Sequence, residues 1–157
     1  MWKKIKPYVI SVAVALGVGA LAAFFTRGNM DIYENISKPP LSPPMVLFPI
    51  VWSILYALMG IGAARIWMAP PSAERSRGLN IYIAQLIVNF FWSLIFFNAQ
   101  AYGFAFFWLI ALWLLVLWMI LTFRKVDPLA AWLQVPYLLW LTFAAYLNAG
   151  IWLLNER

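Results

Sequence analysis

The sequence predicts an all-α integral membrane protein, a single domain over residues 1–157 built as a bundle of five transmembrane helices with an ordered first loop. Three observations predict it. The chain is 66% hydrophobic and only 10% charged, with a mean hydropathy of +0.85, whereas a soluble domain carries charge on about a quarter of its residues. Lipid must therefore solvate much of the surface. Five apolar runs reach the length of about 20 residues that a helix needs to cross the hydrocarbon core, and none alternates with the period of two of a barrel strand. The basic residues, finally, concentrate in every other break between those runs.

The first span is expected at 8–26, behind Lys3, Lys4 and Lys6. This start imitates a secretory signal peptide, with Ala20-Leu21-Ala22 as the cleavage site. The run is longer than a signal core, and Ala15, Gly19 and Ala23 form a small-residue stripe suited to helix packing, so the span is expected to stay. Arg27-Gly28-Asn29 ends it. The first loop contains Pro39, Pro40, Pro43 and Pro44, which stiffen it and lower the entropy lost on ordering. Its Ile32, Tyr33, Ile36 and Leu41 suit either a stiff connector or a lid folded over the helix ends. The second span, 45–68, stops before Pro70-Pro71, and the third is placed at 79–98. A tight apolar hairpin from Asn98 to Gly103 leads to the fourth, 104–123. This span holds Trp108, Trp113 and Trp118 but no charge and reads as lipid-facing or packing surface. The segment Arg124-Lys125-Val126-Asp127-Pro128 precedes the fifth, 129–154.

Charge tests this partition. The N-terminus and the second and fourth loops hold Lys3, Lys4, Lys6, Arg65, Arg75, Arg77, Arg124 and Lys125; the other three segments hold Arg27, Lys38 and Arg157. The bias fits an odd number of spans with the N-terminus cytoplasmic, and helical spans favour a bacterial inner membrane. No continuous basic stripe exists for a nucleic acid. With no cysteine and no histidine, disulfides, thiol catalysis, zinc sites built on Cys or His, and the usual haem ligation are excluded. No metal site or covalent cofactor is expected.

Ten tryptophans, twelve phenylalanines and seven tyrosines make 18% of the chain aromatic. Trp2, Trp67 and Trp152 lie near span ends, as interfacial belts require. Trp52, Trp92, Trp113 and Trp140 lie deeper, where the indole N–H needs a partner that lipid does not offer. On the third span Gln85, Asn89, Trp92 and Phe96 follow i, i+4, i+7 and i+11 and share one face. Two amides in hydrocarbon need partners: they either bond neighbouring helices together or line a cavity and bind a ligand's polar edge. Trp52 and Tyr56 pair on the second span, and Trp140, Ala144 and Asn148 repeat on the fifth. Together the three helices can wall an aromatic pocket, with space beside Ala144 and Ala145.

Three strings are recognisable. Residues 38–56, KPPLSPPMVLFPIVWSILY, resemble the signature of the tryptophan-rich sensory protein (TspO) family, whose mitochondrial relatives are the translocator proteins or peripheral benzodiazepine receptors. Residues 84–92, AQLIVNFFW, with Phe96 and Phe97, are similar as well, as is 135–140, VPYLLW, continuing to Tyr146-Leu147-Asn148. The resemblance runs over nearly the whole chain. It implies a five-helix membrane protein, often a homodimer, that binds porphyrins and hydrophobic drug-like molecules in a cavity beneath the first loop. Carried over by position, the implied ligand-binding residues are Tyr33, Pro43, Trp52, Tyr56, Gln85, Asn89, Trp92, Phe97, Trp140 and Ala144. Leu41 stands where the family usually has a tryptophan, which weakens any porphyrin contact or photochemistry that depends on that ring. The cholesterol pattern fails after Tyr146, whose next basic residue is Arg157; the reversed pattern at Lys6-Pro7-Tyr8-Val9 arises easily by chance.

The leading functional expectation is a receptor or sensor that binds a tetrapyrrole such as protoporphyrin IX as ligand rather than cofactor. An enzymatic alternative, porphyrin photo-oxidation, would rest on Trp52 and Trp140 as electron donors, since neither a metal ligand set nor a histidine base is available. Transport of tetrapyrroles or sterols is the third reading, though no charge lies deep in a span and no inverted repeat is visible.

Overall fold

The computed structural model describes residues 1–155, so Arg157 of the charge count lies outside the described residues. Its elements are α1 (Trp2–Thr26), α2 (Ile32–Asn35), α3 (Leu47–Trp67), α4 (Ala73–Ser93) running on into a π-helical turn (Leu94–Asn98), α5 (Tyr102–Val126), α6 (Pro128–Trp132) and α7 (Val135–Asn155). No strand occurs among the described residues. Five helical segments are long and apolar enough to cross a membrane, the last formed by α6 and α7 together. The protein is an integral membrane bundle.

Three boundaries differ from the sequence expectation, each for a local reason. Helix α1 starts at Trp2, so Lys3, Lys4 and Lys6 ride on the helix and Pro7 lies inside it. Helix α4 starts at Ala73 rather than 79, because Ser72 caps it by accepting a bond from the Arg75 N–H at 3.0 Å. Hydropathy reports where lipid begins, not where helix begins. The fifth span breaks at Leu133 and Gln134. Pro136 has no N–H to donate to Trp132, and its ring would clash with that carbonyl, so one helical run cannot continue through. Gln134, fully buried in the break, donates to the Leu58 carbonyl at 3.2 Å and ties the break to α3. Asp127 ends α5, caps α6 through Leu129 N–H (3.1 Å) and binds Arg65 of α3 at 2.7 Å.

Helix α1 packs on α3 and α4, α4 on α5, and α5 on α7. The ring closes where α3 meets α6. Outward residues such as Ile83, Ile87, Phe107, Leu114, Trp118, Leu139 and Leu153 are exposed, an apolar surface that water would not tolerate. The first loop folds down onto the bundle. Tyr33 is buried and donates to the Pro43 carbonyl at 2.9 Å. Tyr146 of α7 donates to the Pro40 carbonyl at 2.6 Å, Asn155 and Ser37 exchange two bonds of 2.8 and 3.2 Å, and Pro39 lies against Gly150.

Candidate functional site

Beneath that loop the bundle is hollow. A cavity of about 320 Å³ is walled by α1, α3, α4 with its π-helical turn, and α7, and roofed by Met30 and Tyr33 of the loop. Helix α5 contributes nothing to the wall. Its Trp108 and Trp113 indoles are bound to the Val88 carbonyl (2.7 Å) and the Thr142 hydroxyl (2.8 Å), so they pack helices together.

The wall is aromatic, and its rings prop one another. Trp52 meets Trp140 edge to face, centroids 6.5 Å apart, and lies 5.6 Å from the Tyr56 ring. Phe48 bridges Tyr33 of the loop (5.0 Å) and Trp140 (6.0 Å). Trp92 stacks on Phe96 at 5.1 Å. The π-helical turn lies where Phe96 and Phe97 enter the wall; such single turns are frequent at functional sites.

Of the ten residues expected at the site, Tyr33, Trp52, Tyr56, Trp92, Phe97, Trp140 and Ala144 line the cavity. Three stand off it. Pro43 lies in the loop and supplies the acceptor for Tyr33. Asn89 and Gln85 lie behind the wall in one chain of hydrogen bonds. Tyr56 donates to the Asn89 carbonyl oxygen (2.7 Å), Asn89 donates to the Tyr137 hydroxyl (2.6 Å), and Tyr137 donates to the Gln85 carbonyl oxygen (2.7 Å). The amides here bond α4 to α3 and α7. Asn148, on the wall, accepts from the Trp92 indole (3.1 Å) and donates to the Tyr102 carbonyl (2.8 Å).

The indole donors divide sharply. Those of Trp92, Trp108 and Trp113 are satisfied inside the protein. Among the described residues the other seven indoles have no hydrogen-bond partner, and of these only Trp52 and Trp140 line the cavity. The side-chain donors of Ser53 and Thr26 are turned to their own helices, on Pro49 and Ala22 carbonyls. No Lys, Arg, Asp or Glu lines the space. Lys38 is close by but donates to the Tyr33 carbonyl at 2.7 Å. Burial pushes the Tyr33 phenol above its ordinary value, so it stays a neutral donor.

The residues that sequence reasoning passed over are mainly on α1: Leu16, Gly19, Ala20, Ala22, Ala23 and Thr26. The small-residue stripe was their signal, for Gly19 admits the Tyr56 ring where a Cβ would stand 2.5 Å from it. Leu16, Ala20 and Ala23, with Pro49 and Ser53 of α3, line the cavity and are also exposed. The wall is incomplete there, and the end of α1 is tied instead to the π-helical turn, Asn29 donating to Asn98 (2.8 Å) and Asn98 to the Phe25 carbonyl (3.0 Å).

A sequence model described as the TspO/MBR family matches residues 10–153. Protein CrtK of Rhodobacter capsulatus is 38% identical over 149 residues, 94% of this chain and 90% of its own length. The translocator protein of Ovis aries is 36% identical over 141 residues, 88% of this chain and 83% of its own. The tryptophan-rich protein TspO of Chlorobaculum tepidum is 34% identical over 160 residues, 99% of each.

Proposed function

The chain belongs to the TspO/MBR family, and from that premise we propose that it binds porphyrins, protoporphyrin IX among them, and hydrophobic drug-like molecules in the cavity beneath the first loop. The observation that carries this reading is the pair of unpartnered indole N–H groups, Trp52 and Trp140, inside an aromatic, uncharged wall. Neither N–H has an acceptor within the protein, so a ligand that brings a carbonyl or another acceptor can take up both donors. The rings supply faces for a flat molecule, and the loop shuts it from water.

Size refines the reading. The 320 Å³ cavity stands at the lower end of the roughly 300–1,000 Å³ of small-molecule sites. A drug-like molecule fits whole. A macrocycle would extend through the incomplete wall between α1 and α3, with its carboxylates toward Arg27 and Lys38 at the loop end.

Titration with protoporphyrin IX should quench tryptophan fluorescence saturably. Trp52→Phe with Trp140→Phe keeps an aromatic ring at each position and removes both donors with part of the indole surface; affinity should fall about tenfold or more, with the fold retained. Equal affinity in that double variant would sink the site assignment. We also infer that the lysine-bearing end faces the cytoplasm of a bacterial inner membrane. The chain has no cysteine and Leu41 is 82% exposed at the other end. Leu41→Cys should therefore react with a membrane-impermeant maleimide in cells whose outer membrane has been made permeable; protection there would reverse the orientation.

A further inference from the structure

Net charge sits at one end of the bundle. Among the described residues, the end away from the first loop carries Lys3, Lys4, Lys6, Arg65, Arg75, Arg77, Arg124 and Lys125 against Glu74 and Asp127, while at the loop end Arg27 and Lys38 balance Asp31 and Glu34. Both carboxylates of the basic end are engaged, Glu74 by Arg77 at 3.2 Å and Asp127 by Arg65 at 2.7 Å. Lys3, Lys4, Lys6, Arg124 and Lys125 have no ion-pair partner among the described residues.

The topology bias explains the sign of this end but not the shape that accompanies it. Tyr8 of α1, Arg65 and Met68 at the end of α3, and Val126, Asp127 and Pro128 line an open groove there. Arg65 engages Asp127 through Nε, with the Tyr8 hydroxyl within reach of the guanidinium. No carboxylate or carbonyl among the described residues takes up its two terminal nitrogens. Lys4 stands one turn before Tyr8 and so on the same face of α1. Arg65 lies two residues from the end of α3, roughly 3 Å along the axis, at the end of its span. The exposed rings of Trp67 and Trp132 lie at the same end.

We propose that this groove seats the phosphate of an anionic phospholipid. The Arg65 terminal nitrogens and the Tyr8 hydroxyl bind the phosphate oxygens, the Lys4 ammonium adds charge, and the acyl chains run along the apolar rim at Met68 and Leu129. Guanidinium nitrogens suit a phosphate bidentately. Beside Arg65 and Tyr8 the groove is lined by apolar Met68, Ala69, Val126 and Pro128, which fits a phosphate attached to a lipid better than a free ion ringed by water. A choline headgroup would bring a further cation among unpaired lysines, so charge selects the anionic lipid.

The test is native mass spectrometry of the delipidated full chain titrated with phosphatidylglycerol or phosphatidylcholine of identical acyl chains. One phosphatidylglycerol should be retained about tenfold more tightly than phosphatidylcholine. Lys4→Gln should weaken it about fivefold, and Tyr8→Phe by a few-fold. Arg65→Lys, which keeps the charge and loses the fork, should abolish the preference. Should that variant unfold for want of its contact with Asp127, the other two still decide. Equal retention of the two lipids overturns the proposal, as does a preference that survives Lys4→Gln and Tyr8→Phe unchanged. Glycerol phosphate displacing the lipid at equal concentration would reassign the groove to a soluble anion and overturn the lipid assignment.

Discussion

The two halves of the bundle are built from the same apolar helices, yet one is filled and the other hollow. In the basic half, helices cross at glycines. A Cβ on Gly60 would lie 2.5 Å from the Val12 Cα, and one on Gly78 would lie 3.2 Å from the Phe123 ring. The backbones of α1 and α3 therefore approach closely, and Met59, Ile66, Leu112, Val116, Met119 and Phe123 fill the space between the helices with almost no exposure. In the loop half the facing positions hold Trp52, Trp92, Trp140, Phe48 and Phe96. Rings have few rotatable bonds and prefer edge or offset contacts at centroid separations of about 4.5–7 Å, so they brace one another and leave the middle empty. Hydrophobicity does not distinguish a core from a container. The side chains that face inward do: flexible aliphatic chains fill the space, and rings braced on one another leave it open.

The largest expected effect breaks the filled half. Gly60→Val sets a branched side chain against the α1 backbone, which has no rotamer by which to give way. The loss should be at the upper end of the roughly 1–3 kcal/mol of overpacked cores, or beyond it, read as a lowered unfolding temperature in detergent. An unchanged temperature would mean that α1 is not held against α3 as described. Next comes the boundary between the halves. Tyr137→Phe leaves the Gln85 carbonyl oxygen and the Asn89 N–H without their partner, a loss of about 1–3 kcal/mol. Ligand affinity should change little, because these groups stand behind the wall. If affinity falls as far as in the Trp52 and Trp140 double variant, the amides belong to the site, and the hollow half reaches deeper than its cavity.

The same contrast explains what the sequence made legible. Five spans and the charge bias are one-dimensional properties, readable from hydropathy and the positions of Lys and Arg. The break at Leu133 and Gln134 was hidden because Pro136 lies inside an apolar run and looks like part of it. The aromatic positions on α3, α4 and α7 follow helical periodicity, so their shared faces could be drawn without coordinates. Gly19, Ala20 and Ala23 could not be assigned to a wall, since a small side chain reads alike whether it admits a neighbouring helix or a ligand. The amides Gln85 and Asn89 admitted two readings until Tyr137, from a helix 48 residues further on, came within 2.6 Å of Asn89. Periodicity orients a face; it does not say what the face meets.

The smallest effect concerns the roof of the hollow half. Asn155 holds Ser37 by two hydrogen bonds at the exposed edge of the bundle, and Tyr33, Pro39 and Tyr146 anchor the same loop elsewhere. Removing one anchor among several should leave the fold intact. Exposed bonds exchange readily with water and stand at the low end of about 0.5–1.5 kcal/mol each, so Asn155→Ala should lower the unfolding temperature by only a few degrees. Ligand escape is a different quantity, because it depends on how often the loop lifts rather than on how well it rests. A loop freed at one edge lifts more often, and dissociation followed by stopped-flow tryptophan fluorescence should quicken a few-fold while association changes less. If the dissociation rate is unmoved, the ligand does not leave under the loop. The incomplete wall between α1 and α3 is then the route, and enlarging Ala20 or Ala23 there should slow both entry and exit where Asn155→Ala did neither.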